Sequence, residues 1–235
     1  MTNNKITSQW LIKWITVSTM SWMFAALFGE VCRNLAWQNL SINIGWSMFI
    51  AAITMLGFGA IATSLTQGNI LRSTTSELAH WERATLKGWL LGIGVGILIF
   101  VASAFLLAVA ISVLMPGSDE GSSWARPLTF AIFALPIAAI FGGLGILYFI
   151  GVFQTKILNQ LTEQNTHWIR TSIISGIAGF FIVICAMLVL RMLASSMIVF
   201  GILGAIYGMI TGAITGTRLT SLLSFRAEKE ESVSV

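Results

Sequence analysis

An all-α integral membrane protein with six spans is the fold this sequence predicts. Three features carry that reading: an apolar balance foreign to water-soluble domains, six apolar runs long enough to cross a bilayer, and a one-sided distribution of basic residues. Of 235 residues, 56% are hydrophobic and 9% charged, whereas a soluble domain usually carries about a quarter charged residues. Lipid is therefore the solvent for most of the chain. The formal charge of +4 resides at the ends of the apolar runs, where basic residues set topology. It forms no clustered basic face, which argues against a nucleic-acid partner.

A spanning helix needs about 20 mostly apolar residues, because unsatisfied backbone polar groups cannot face hydrocarbon. The first such run, 12–31, follows Lys5 and Lys13 and resembles the start of a secretory signal. It lacks a small-x-small cleavage site, and Glu30 is wrong for a lipoprotein box ahead of Cys32, so it is read as an uncleaved first span. The second run is 45–65. The third, 87–115, is long enough to tilt and ends at Pro116, Gly117 and Ser118. The fourth, 128–153, contains Pro136, which is expected to bend it by removing a backbone hydrogen bond. The fifth and sixth, 169–190 and 197–216, form a hairpin turning at Ala194 to Ser196. The whole chain reads as one transmembrane helical domain, with 226–235 a flexible, solvated cytoplasmic tail.

Lys5, Lys13, Arg72, Arg83, Lys87, Lys156, Arg170, Arg218, Arg226 and Lys229 fall on one side of these spans, against Arg33, Arg126 and Arg191 on the other. Basic flanks are retained in the cytoplasm, so both termini are expected inside, in a bacterial plasma or thylakoid membrane. Trp10, Trp14, Trp81, Trp89 and Trp168 mark the inner boundary and Trp37, Trp46 and Trp124 the outer one; Trp22 alone is deep. Near the outer end of the first span, Glu30 and Arg33 share a helical face and are expected to pair.

Two segments align without a gap: QGNILRSTTSELAHWERATLKG from Gln67 and QTKILNQLTEQNTHWIRTSIIS from Gln154. Gln, Ile-Leu, His-Trp and Arg coincide, at Gln67/Gln154, Ile70-Leu71/Ile157-Leu158, His80-Trp81/His167-Trp168 and Arg83/Arg170. Trp14 and Trp22 repeat the spacing of Trp81 and Trp89, so the first span opens a third copy. The chain thus reads as three helical hairpins pointing the same way, related by an axis along the membrane normal. Trp81, Arg83, Trp168 and Arg170 are expected to anchor the odd spans at the interface. His80 and His167, the two histidines, belong to that element. As neutral imidazoles they are also candidate ligands for chlorophyll or another porphyrin such as haem, or contacts to a partner subunit.

Gly201, Gly204, Gly208, Gly212 and Gly216 line one face of the sixth span, and Gly88, Gly92, Gly96, Gly142, Gly143 and Gly145 stud the third and fourth. In lipid such faces favour close helix packing, within the chain or against another subunit. No ionisable residue falls in mid-membrane, which excludes a proton-coupled pump, an intramembrane protease or a zinc enzyme. No Walker-type loop is present, and Cys32 and Cys185 have neither disulfide nor metal spacing. Asn39-Leu40-Ser41 fits the glycosylation pattern.

With glycine-rich even spans running into Gln67 or Gln154, and an odd span opening Trp81 to Trp89, the chain resembles a group of uncharacterised multi-spanning proteins of cyanobacteria and their relatives. In that group Gln is followed by Trp and a Gly-Trp pair comes eight residues after the tryptophan. Here Gln-Gly and Gln-Thr stand instead, and the last copy lacks the second tryptophan. The resemblance implies a bacterial origin and no catalytic residue. The leading functional expectation is a non-enzymatic accessory or scaffold subunit of a larger photosynthetic or respiratory membrane complex, in contact with lipids and other subunits. The alternative is a small-solute transporter or channel, which demands a polar path among residues such as Thr54, Thr63, Ser103, Ser112, Ser175 and Thr211. An enzyme acting on lipid through His80 or His167 lacks a converging acid or base.

Overall fold

The computed structural model describes residues 2–40, 43–74, 78, 80–114, 135–160, 167–190 and 196–233. Six helices make up this structure: α1 (Thr2–Asn39), α2 (Ile44–Thr74), α3 (Trp81–Leu114), α4 (Leu135–Leu158), α5 (Trp168–Leu190) and α6 (Ser196–Val233). Each contains a stretch long and apolar enough to cross a bilayer, so the chain is a multi-pass membrane protein. Pro116, Gly117, Ser118, Trp124, Arg126, Arg191, Ser41, residues 128–134 and most of the Ala194 to Ser196 turn lie outside the described residues.

The helices overrun the apolar runs that predict them. At 1.5 Å per residue α1 is roughly 57 Å long, against about 30 Å of hydrocarbon. Hydropathy marks where charge begins, but a helix carries its own backbone hydrogen bonds and continues past that point. The segment 226–235, read as a tail, is helical through Val233. Pro136 is the second residue of α4 as described, and the expected bend there falls at the edge of the described residues.

Each helix packs on its neighbours in the chain, and α6 packs extensively on α1, closing the six into a ring. Glycine explains the tightest seams. A Cβ at Gly204 would strike the Trp22 carbonyl oxygen, one at Gly208 the Ser18 carbonyl oxygen, and one at Gly212 would lie 2.8 Å from Ser18 Cβ. Gly201 and Gly216 sit against Leu27 and Trp14 of the same helix. The α3–α4 seam works alike: a Cβ at Gly88 would lie 2.7 Å from Ile150 Cα, one at Gly92 2.9 Å from the Ile146 carbonyl oxygen and one at Gly96 2.7 Å from the Gly142 carbonyl oxygen. Lipid supplies little hydrophobic force between helices, so this backbone approach is a principal source of cohesion.

Polar groups are satisfied locally. Glu30 is buried, and Arg33 holds it in a fork, Nε and Nη2 each 2.7 Å from a carboxylate oxygen, while Asn34 Nδ2 donates at 3.3 Å. Large apolar side chains such as Leu98, Phe105, Val113, Phe181 and Leu188 face outward. In water that surface would promote aggregation; in a bilayer it meets its own kind.

Candidate functional site

His80 and His167 each stand one residue ahead of a helix, α3 and α5, and both are exposed. His167 adopts left-handed backbone, φ 48°. Its carbonyl accepts from the amide of Thr171 at 3.1 Å and the hydroxyl of Thr171 at 3.3 Å, the position of an N-terminal cap. Arg83 and Arg170 are exposed beside them. Among the described residues, no group of three or more His, Cys, Asp or Glu side chains is placed to hold a metal ion.

Trp81 and Trp168, expected as interfacial anchors, turn inward instead. With Trp14, Leu71, Leu158 and Leu219 they are at most 1% exposed and form a single cluster at one end of the ring. Trp81 packs edge-to-face on Trp14 at 6.3 Å and on Trp168 at 5.7 Å. An indole gains more from burial against leucine and a second ring edge than from a headgroup, and the faces of α1, α3 and α5 that carry these rings point at one another. Trp37 and Trp46, at the other end, remain exposed.

One turn deeper lies a belt of uncharged hydrogen bonds. A hydroxyl stands four residues after each of these tryptophans: Ser18 on α1, Thr85 on α3 and Ser172 on α5, all buried. Between them stand Gln67 on α2, Gln154 on α4 and Thr215 on α6. Trp168 Nε1 donates to Gln154 Oε1 at 2.7 Å, and Gln154 Nε2 donates to Thr85 Oγ1 at 3.0 Å. Gln67 Nε2 donates to Ser18 Oγ at 3.1 Å, and Trp14 Nε1 to Thr215 Oγ1 at 3.2 Å. Two links are missing. Trp81 Nε1 does not reach Gln67, and Thr215 is too short to reach Ser172, its own proton going to the Thr211 carbonyl at 2.7 Å. Among the described residues, Trp81 Nε1 and Ser172 Oγ are the buried polar atoms left without a partner.

That difference predicts a contrast between two otherwise alike tryptophans. Trp168→Phe strands the Gln154 carbonyl oxygen and is expected to cost about 1–3 kcal/mol more than Trp81→Phe, which removes a donor that has no acceptor. Thermal unfolding of the two variants in one detergent checks this. Equal losses would mean that the belt contributes no stability.

The belt borders an internal cavity of about 80 Å³, lined from all six helices. Trp14, Trp22, Trp89, Trp168 and Tyr207 supply its aromatic wall. Its polar wall comprises Gln67, Gln154, Ser172 and Thr215 from the belt, with Thr63, Thr85, Ser175 and Thr211. Among the described residues, no charged side chain lines it. The Trp–Leu cluster covers one side, and Trp22, Ala25, Ala60, Trp89 and Ile150 pack as a second apolar layer on the other. No protein-family model, curated protein or solved structure matches this chain.

A larger groove of about 610 Å³ runs along the outside of α5 and α6, past Ile174, Ile214, Thr217 and Arg218. Among the described residues only these two helices form it, on the outside of the ring. The internal cavity is where polar groups converge. Of the hydroxyls suspected from sequence, Thr63, Ser175 and Thr211 reach it, whereas Thr54 and Ser112 bond only to carbonyls of their own helix, at 2.8 and 2.9 Å, and line no cavity wall. Sequence reasoning missed Ser18, Thr85, Ser172, Thr215 and Tyr207. The Trp-x-x-x-Ser/Thr spacing, which recurs at Trp14, Trp81 and Trp168, was the available signal for the first three.

Proposed function

We propose that this chain is a non-enzymatic membrane protein that binds a small uncharged polar solute inside its ring of helices and passes it across the bilayer. Three helical hairpins pointing the same way, with both termini cytoplasmic, form that ring in a bacterial membrane. What supports the reading is the cavity itself: nine hydroxyl and amide side chains, Tyr207 included, converge inside an apolar bundle, with no charge among the described lining residues. Buried polar groups are costly unless they meet partners, and Ser172 Oγ, which lines the cavity, has none among the described residues, so a polar occupant would satisfy it. Neutrality follows from magnitudes. An aromatic face returns about 2 kcal/mol to a desolvated cation, while taking an ion out of water costs several kcal/mol even after relaxation. No carboxylate lines the wall to make up the difference.

The competing proposal, an accessory or scaffold subunit, draws on short soluble loops, the absence of a catalytic set in the sequence and glycine-lined packing faces, of which that of α6 is the longest. That face is engaged by α1 of the same chain. The two apolar layers on either side of the cavity give a transporter a closed state, with passage requiring one layer to part.

Purified protein in liposomes, challenged with gradients of urea, glycerol and methylammonium and followed by light scattering, tests the proposal. Entry of at least one neutral solute well above that of empty vesicles is expected. Protein-containing vesicles that behave as empty ones toward all the neutral probes would refute it.

A further inference from the structure

We infer that the solute is a neutral compound rich in N–H donors, of the urea type, and that it finds room because α6 presents Thr215 where α2 and α4 present glutamine. This rests on the solute-passing reading above.

The first argument is the polarity of the wall. The hydroxyl of Thr63 donates to the Gly59 carbonyl at 2.5 Å, Ser175 to Ser172 at 2.9 Å, Thr211 to Tyr207 at 2.9 Å and Thr215 to Thr211 at 2.7 Å. With their protons committed to backbone, these hydroxyls offer the cavity lone pairs. These lone pairs favour an occupant that donates. Protons are offered as well: Ser172 Oγ lines the cavity and has no partner among the described residues, and the Tyr207 hydroxyl and the amides of Gln67 and Gln154 stand in the same wall, so a carbonyl of the occupant can also be met. Several N–H donors and one carbonyl acceptor describe urea or a small primary amide. The volume of about 80 Å³ admits a molecule of only a few heavy atoms, and flat indole faces suit a planar one.

The second argument is where the space comes from. Eight residues after Trp14 and Trp81 stand Trp22 and Trp89, both buried; eight after Trp168 stands Gly176. Where α2 and α4 present Gln67 and Gln154, α6 presents Thr215. Beside Gly176 the room is taken by Leu147, whose branched end a Cβ there would strike, so it is the short Thr215 that leaves space in this third of the ring. The orphaned Ser172 hydroxyl marks the gap that a glutamine at 215 would fill.

Thr215→Gln is therefore the decisive variant, with Ser172→Ala beside it in case the longer side chain disturbs folding. Urea entry into proteoliposomes is expected to fall by roughly tenfold or more in each, the order of one buried hydrogen bond, while Thr215→Gln melts at a higher temperature than wild type. Millimolar urea is expected to change the indole fluorescence of wild type saturably and to leave that of Thr215→Gln unchanged. Urea entry at the wild-type rate in both variants would overturn the inference, as would entry of glycerol or methylammonium without urea. In the latter case passage of a solute would stand and its assigned class would fall. A saturable fluorescence change without entry of any solute would do the reverse, keeping the ligand and removing transport. No fluorescence change and no urea entry would leave the cavity to ordered water and overturn the inference.

Discussion

Gly208→Leu is expected to stop the ring from closing. A Cβ at this position runs into the Ser18 carbonyl oxygen and comes within 2.8 Å of Thr19 Cα, and these are backbone atoms that cannot rotate aside. Relief requires α1 and α6 to move apart, which also loosens the contacts at Gly204 and Gly212 and the hydrogen bond from Trp14 Nε1 to Thr215. Overpacking typically costs about 1–3 kcal/mol. Here the cost is expected at or above the top of that range, because most of the cohesion between these helices is close backbone contact. Gly94, with nothing within 4 Å of its would-be Cβ, is the control, and Gly94→Ala should be neutral or slightly stabilising. Melting temperature and elution volume in detergent separate the two. A Gly208→Leu protein that melts with wild type would mean that the α1–α6 seam does not hold the bundle together.

Trp168→Ala is the second large effect. The indole is 1% exposed, packs on Trp81 at 5.7 Å and donates to Gln154 at 2.7 Å. Truncating a buried tryptophan costs about 3–5 kcal/mol, and the stranded Gln154 oxygen adds to that. Trp37, 44% exposed, should tolerate the same change to within about 0.5 kcal/mol. Comparable losses at both positions, by thermal unfolding, would contradict an inward-facing tryptophan cluster.

The spans were legible because length and apolarity alone specify them: four of the six runs lie wholly inside observed helices, and 87–115 and 128–153 do so as far as the described residues extend. Closure of the ring was not legible: the α6 glycines announce a close contact without naming α1 as its partner. Tryptophan depth could be read from neighbouring charges, but whether Trp81 and Trp168 face lipid or protein depends on helix rotation, which the packing of three elements decides together. The repeat exposed Gln67 and Gln154. Thr215 escaped because α6 has diverged and shares neither the glutamine nor the His-Trp element that aligned the others. The histidines drew attention by rarity, yet each stands at the start of a helix, away from the polar cavity.

Ser172 is the point where the cavity, the orphaned hydroxyl and the proposed solute meet, so a cysteine there gives the most direct measurement. In protein whose Cys32 and Cys185 are replaced by alanine, Ser172→Cys would be treated with iodoacetamide, a small neutral amide, and urea entry into proteoliposomes compared before and after. Alkylation that is slowed by urea and that abolishes the residual entry is the expected result. Unchanged entry after complete alkylation would show that the solute does not pass through this cavity.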